Sequence, residues 1–135
     1  MSGARRGISW TQLVSSATEL PGVEEGTAYG TPALRVRKRF LARLKEDGDS
    51  VAIRIPVADR EVLLEGDPSA FYLTDHYRPH PAVLMRLSRV QRAVALAVLE
   101  QAWQYLVPKS LARSRLPAAT TSTSKGRVGK KSRSR

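Results

Sequence analysis

The sequence contains no cysteine among its 135 residues, which excludes disulfide bonds and thiolate metal sites and fits a reducing cytoplasm. It also has no apolar run near the roughly 18 residues that a transmembrane helix needs. The two arginines near the start are not followed by the apolar segment of a secretory signal. We therefore expect a cytoplasmic protein with no membrane partner.

Motifs for catalysis and metal binding are missing as well. His76 and His80 have a spacing that would pair them on a helix, but Pro79 and Pro81 disfavour a helix there, so we expect a turn or packing role. There is no HExxH motif, no glycine-rich dinucleotide motif and no nucleophile elbow. Residues 126–132, GRVGKKS, have the wrong glycine spacing for a P-loop. We expect no enzyme activity, no metal and no cofactor.

The formal net charge is +11, and most of it comes from one end of the chain. Residues 113–135 contain eight Lys and Arg, no acid and many Ser, Thr and Gly, a composition typical of disorder. Residues 1–112 hold the other fifteen bases, twelve acids and enough apolar residues for one core. We expect one domain over 1–112 and a disordered basic tail over 113–135, which is either a phosphate-gathering arm or an incidental extension.

Two helices are predicted, one on each side of a central region. Ser9 and Gln12 have the spacing of a capping box and begin a helix over 10–19. A second helix over 89–106 follows from apolar residues that recur at i, i+4 spacing. Trp103 falls in its last turns, where a core position is the favoured interpretation.

Between the helices the hydrophobic period changes to two, as in half-buried strands. The dipeptide Asp47-Gly48 stands between two such runs and predicts a β-hairpin. A two-residue loop there places apolar pairs on one face: Leu44–Val51, Ala42–Ile53 and Phe40–Ile55. The opposite face then receives the pairs Arg43–Ala52 and Leu41–Arg54. Register and hydrophobic pattern agree, as expected when one face is buried.

A second hairpin and a later strand extend the predicted sheet. With residues 37–39 as a short loop, Val36 lies opposite Phe40, and a further strand is expected over 82–87. The polar face of this sheet would hold Arg35, Arg43, Arg54 and Arg86. The predicted fold class is therefore α+β, an antiparallel sheet with helices packed on one face and arginines on the other.

The polar face has two interpretations. Antiparallel sheets often leave one face to solvent, where arginine is common. An all-cationic face repels itself, however, and stability alone favours mixed signs, so we favour a phosphate-binding surface. Tyr29, Tyr72 and Tyr77 could stack on bases beside it, although Tyr77 could equally pack over the core edge. Because there is no helix-turn-helix, zinc-finger or RNP signature, contacts should be mainly to phosphates.

Several separated segments resemble one known family. They are ELPGVEEGTAYGTPALRV from residue 19, FLARL from residue 40, FYLTDHYRPHPAVLMRLSRV from residue 71 and AW at 102–103. Over roughly residues 9–110 the chain resembles the small bacterial MmcQ/YjbR-type proteins, whose fold is grouped with CyaY-like, frataxin-like α+β domains. The resemblance implies this fold and a DNA-binding role without catalytic residues. Frataxin-like folds also suggest iron, but the single acidic pair Glu24-Glu25 favours no metal site.

The leading hypothesis is a non-enzymatic nucleic-acid-binding domain, with DNA favoured over RNA, whose sheet face and tail contact phosphates. The alternative is a protein-interaction or small-anion-binding module with an acidic partner and an incidental tail. The sequence leaves the oligomeric state open. The candidate nucleic-acid-binding residues are Arg35, Arg37, Lys38, Arg39, Arg43, Arg54, Tyr77, Arg78 and Arg86 in the domain, and Lys125, Arg127, Lys130, Lys131, Arg133 and Arg135 in the tail.

Overall fold

Six antiparallel strands form one sheet in the computed structural model, which describes residues 6–115. Their spatial order is β1-β2-β3-β4-β6-β5. The strands are β1 Val23–Ala28, β2 Thr31–Val36, β3 Arg39–Leu44, β4 Ser50–Arg54, β5 Phe71–Tyr72 and β6 Ala82–Arg86. The helices are α1 Trp10–Ala17, α2 Val57–Gly66, α3 Arg92–Leu106 and α4 Lys109–Arg115. This architecture confirms the predicted α+β class.

The hydrophobic core lies between the sheet and the helices. α3 packs on β3 and β4, α1 packs on α3, and α2 lies against β5 and β6. Alternate strand residues point into this layer, among them Leu34, Val36, Val51, Ile53, Val83 and Met85. The residues between them point to the opposite face of the sheet, called here the open face, where Arg35 and Arg54 line a cleft. No helix in that part of the chain has the length and apolar character to cross a membrane.

Both predicted helices are present, with shifted ends. At the start of α1, Gln12 N donates to Ser9 Oγ and Ser9 N donates to Gln12 Oε1, each at 3.0 Å, which confirms the capping box. α1 ends at Ala17, two residues before the predicted end. α3 begins at Arg92 instead of residue 89.

Trp103 lies on the buried side of α3 and is fully shielded from solvent. Its indole Nε1 donates to the carbonyl of Pro21 at 2.8 Å, so its polar atom is satisfied in the core. This contact joins α3 to the turn before β1. The core interpretation of Trp103 is confirmed.

The β3–β4 hairpin has the predicted register. Ala42 pairs with Ile53, Arg43 with Ala52 and Leu44 with Val51. The turn between the strands is stabilised by Asp47, whose Oδ1 accepts from the backbone N–H groups of Asp49 and Ser50, each at 2.8 Å. Gly48 has a φ of 75°, a conformation that favours glycine.

The predicted pairing of β2 with β3 is wrong by one residue. The turn consists of Arg37 and Lys38 alone, with φ values of 52° and 70°, so Arg39 belongs to β3 and pairs with Val36. Phe40 consequently pairs with Arg35 and not with Val36. A register shift between Leu34 and Arg35 then restores the pairing of Leu34 with Ala42.

This β-bulge reverses the faces of two residues. Leu41 is fully buried in the core and does not lie beside Arg54 on the polar face. Phe40 lines the polar face, whereas Ile55 is buried in the core, so the two residues lie on opposite faces of the sheet. The predicted Phe40–Ile55 and Leu41–Arg54 pairs are therefore wrong, because one extra residue in a strand changes its alternation.

Four elements have no counterpart in the sequence prediction: β1, α2, β5 and α4. β1 is an edge strand of mostly polar residues, so it lacks the apolar alternation of a half-buried strand. α2 begins after Pro56 and has Asp59 in its first turn, which are ordinary helix-start signals. α4 continues to Arg115, so it includes the first residues of the segment predicted as a tail, and residues 116–135 lie outside the described part of the chain.

Replacing Trp103 by Ala is expected to lower the free energy of unfolding by about 3–5 kcal/mol, because a large buried aromatic side chain is lost. Urea denaturation of the full chain measures this change. Tyr105→Ala is the control, since Tyr105 is on the same helix but 44% exposed, and it should cost much less. Equal losses in the two variants would contradict the core role.

The hairpin turn makes stability depend on acidic pH. The backbone N–H groups of Asp49 and Ser50 lower the pKa of Asp47 below its usual value. A carboxyl group with a lowered folded pKa stabilises the fold above its unfolded pKa of about 4, and this stabilisation disappears as the pH falls through the folded pKa. Melting temperatures from pH 5 to pH 2 should therefore fall less steeply in Asp47→Asn than in the native chain. Parallel curves would contradict this role of the turn.

Candidate nucleic-acid interface

Arginines from three neighbouring strands lie together on the open face of the sheet. Arg35 of β2, Arg43 of β3 and Arg54 of β4 all line one cleft of about 590 Å³. Arg54 pairs with Ala82 across β4 and β6, and Arg43 pairs with Ala52. Small side chains at these partner positions leave room above the sheet for the longer guanidinium groups.

Two loops make this face concave. The β1–β2 hairpin forms one wall, and the connection from β5 to β6, residues 73–81, forms the other. None of the twelve lining residues is acidic. They are Thr27, Ala28, Tyr29, Arg35, Phe40, Arg43, Arg54, His76, Tyr77, His80, Pro81 and Ala82.

Arg43 is fixed by the protein itself. It is only 6% exposed, and its Nη1 donates to Thr31 Oγ1 at 2.8 Å. It also forms an ion pair with Glu46 at 3.4 Å, and its guanidinium lies 5.1 Å from the centre of the Tyr29 ring. Arg43 therefore organises the wall of the cleft and has little freedom to reorient toward a ligand.

The Arg35 side chain is held by the protein at one of its nitrogen atoms. Its Nη1 donates to the carbonyl of Thr27 at 3.0 Å. Gly26 leaves room for this approach, since a Cβ at that position would lie 3.3 Å from Arg35 Nη1, a tighter contact than most side chains make. One guanidinium nitrogen is thus tied to β1, and the group keeps further N–H donors.

Arg54 differs from both neighbours. It is half-buried and lines the cleft, yet its side chain makes no hydrogen bond or ion pair with any residue of the described range 6–115. Its N–H donors can therefore bind water or an anion in the cleft.

Aromatic rings line the same cleft as these guanidinium groups. Tyr29 is 87% exposed at the rim and has a φ of 54°, a left-handed conformation that is uncommon for tyrosine. Tyr77 lies on the opposite wall, 5.2 Å from Lys45 Nζ and edge-on to His76 at 4.8 Å. The third aromatic residue that lines the cleft is Phe40 of β3, which is half-buried.

A buried arginine holds the 73–81 wall in place. Arg60 of α2 is 4% exposed and donates to the carbonyls of His80 at 2.7 Å, Ala82 at 3.2 Å and Arg78 at 3.4 Å. Arg60 is not among the functional residues predicted from the sequence. Its helix could have been found from Pro56, but no sequence signal separates Arg60 from an exposed helical arginine.

The other candidate residues of the domain do not line the cleft. Arg39 turns to the helical layer and donates to the carbonyl of Leu106 at 3.2 Å. Arg78 is paired with Asp75 at 3.7 Å, and Arg86 lies over the Tyr72 ring at 4.0 Å. Arg37 and Lys38 are exposed at the tip of their hairpin turn. The six tail candidates from Lys125 to Arg135 lie outside the described residues.

The histidines do not complete a metal site. Both His76 and His80 lie on the 73–81 wall, with ring centres 6.0 Å apart. Across residues 6–115, no three His, Asp or Glu side chains are grouped as metal ligands would be.

Comparison with known proteins places this chain in a family. The YjbR family model matches residues 18–105. The chain belongs to the YjbR family. The matched range contains every residue that lines the cleft, so the site lies within the part of the chain that matches the YjbR family and not in the basic segment that follows it.

Three mycobacterial relatives are 32% identical to this YjbR protein over 93 residues. They are the uncharacterized protein Mb2600 of Mycobacterium bovis and the uncharacterized proteins MT2646 and Rv2570 of Mycobacterium tuberculosis. Each alignment covers 64% of this chain and 70% of the relative.

Replacing Arg60 by Met is expected to loosen the 73–81 wall, since the side chain loses its three bonds to backbone carbonyls. The free energy of unfolding should fall by about 2–3 kcal/mol. Amide hydrogen exchange, followed by NMR, should accelerate first at residues 77–82. Glu65→Ala, at an exposed position of the same helix, is the control. Faster exchange spread evenly over the domain would contradict the anchoring role.

Proposed function

We propose that this YjbR protein is a non-enzymatic, cytoplasmic nucleic-acid-binding protein that holds phosphate groups in the open-face cleft, with DNA as the first ligand to test. The observation that supports it best is Arg54, a half-buried guanidinium without a partner among residues 6–115, in a cleft with no acidic lining residue. Guanidinium groups bind phosphate through paired N–H donors, which makes arginine the preferred residue at such sites.

The surroundings of Arg54 favour an anion over a neutral ligand. Arg35 and Arg43 add positive potential from the neighbouring strands, and their contacts to Thr27 and Thr31 hold them without adding negative charge beside Arg54. Within residues 6–115, the acid that forms an ion pair with one of these three arginines is Glu46, whose side chain is 64% exposed and lies outside the cleft lining.

Cations outside the cleft could extend the phosphate contacts along a polymer. Arg78 lies on the same loop as Tyr77, and the eight Lys and Arg after residue 112 add charge to the same chain. Such charges give affinity without sequence preference, through counterion release. In this proposal Arg54 and Arg35 position one phosphate, and the other cations strengthen binding to its neighbours.

The contacts of the cleft arginines also favour a second candidate function, the binding of one small anion. Only Arg54 among the three cleft arginines has no protein partner in the described range, and a single free guanidinium suits one phosphate or carboxylate. Competition separates the candidates. A polymer-binding site prefers an oligonucleotide to a mononucleotide or an acidic peptide, whereas a small-anion site does not.

Replacing Arg54 by Gln in the full chain is expected to weaken DNA binding about tenfold or more at low salt, since a charge-assisted contact is lost. The slope of log affinity against log salt should also flatten by about 0.7–0.9. Fluorescence anisotropy with a labelled oligonucleotide measures both quantities.

The matched control is Arg92→Gln, which removes the same charge from an exposed position at the start of α3 in the helical layer. It should change affinity only slightly. Equal effects of the two substitutions would show that binding follows net charge alone, and the proposed site would be wrong.

A further inference from the structure

We infer that the cleft accepts one unpaired nucleotide, with its phosphate on Arg54 and its base against the surrounding rings, so that the protein prefers single-stranded to duplex nucleic acid. This inference rests on the proposed function and specifies the form of nucleic acid that the site binds.

The depth of Arg54 favours a single strand. Its guanidinium is half-buried between two walls, one ending in the 87%-exposed Tyr29 and the other formed by residues 73–81. A duplex presents its phosphates on a broad convex surface with the bases stacked inside. A single strand is flexible and can direct one phosphate and its base into a concave site. The cleft volume of about 590 Å³ is in the range of sites for one small organic molecule.

The ring content of the cleft favours contact with a base. Phe, Trp and Tyr make up 6% of the sequence, yet three of the twelve lining residues are Tyr29, Phe40 and Tyr77. The imidazole rings of His76 and His80 add two more flat surfaces. A surface that only collects phosphates needs no rings, whereas sites for single strands combine cations with aromatic platforms.

Tyr29 is the most informative of these rings. It occupies a hairpin turn with φ values of 54° at Tyr29 and 82° at Gly30, where Asn-Gly is the preferred pair. Tyrosine therefore costs backbone energy there, and 87% exposure means that little burial compensates in the free protein. Its ring lies 5.1 Å from the Arg43 guanidinium, which holds it at the cleft rim. A stacked base would bury this ring.

The test compares a labelled 12-nucleotide DNA strand with its duplex, using the full chain and fluorescence anisotropy. The native protein should bind the single strand at least about fivefold more tightly than the duplex. Tyr29→Asn removes the ring and suits the positive φ, so the fold should be kept, as near-ultraviolet circular dichroism of the tryptophans can verify. This variant should bind the single strand about fivefold or more weakly, and the strand preference should shrink.

Tyr105→Gln is the control, because Tyr105 is exposed on α3 in the helical layer, and it should keep the native preference. Equal affinity for strand and duplex, or an unchanged preference in Tyr29→Asn, would overturn this inference and leave the proposed function in place if Arg54→Gln still weakens binding. A mononucleotide that competes as well as the 12-nucleotide strand would overturn it in favour of a free nucleotide. Absence of binding to both DNA forms would overturn the proposed function as well.

Discussion

The register shift between Leu34 and Arg35 determines which side chains form the cleft. On the turn side of the shift, Arg35 pairs with Phe40, and both line the open face. Beyond it, the extra residue Leu41 turns into the core, and Arg43 returns to the open face. Without the bulge, simple alternation would bury Phe40 and expose Leu41. The fold therefore keeps a continuous apolar face and also gains an aromatic ring between two arginines.

The open face avoids most of the repulsion that grouped arginines would cause. Arg43 has a hydroxyl and a carboxylate as partners, Arg35 has a backbone carbonyl, and Arg86 lies over the Tyr72 ring. These contacts satisfy donors locally and restrict the side chains. Among the cleft arginines of residues 6–115, Arg54 is the one whose side chain has no protein partner, so all of its donors are left to solvent or a ligand.

Sequence reasoning succeeded where a local signal and burial indicated the same structure. The capping box at Ser9, the hairpin at Asp47-Gly48 and the core position of Trp103 are of this kind. The bulge could not be found, because Phe40 and Leu41 are both apolar and fit either alternation. Arg60 was missed because its partners are backbone carbonyls 18–22 residues away, and a carbonyl has no residue type that a sequence pattern could reveal.

The proposed function uses two sources of positive charge, the basic segment after residue 112 and the half-buried Arg54, and salt affects them differently. Charges on an exposed basic segment act mainly through counterion release, and salt screens their attraction within about 8–10 Å. A half-buried guanidinium is screened less, because the protein excludes part of the surrounding electrolyte. As ionic strength rises, the contribution of exposed cations should therefore decline before that of Arg54. In physiological salt, the geometry of the cleft would then determine which form of nucleic acid stays bound, while the exposed cations mainly increase the rate of encounter.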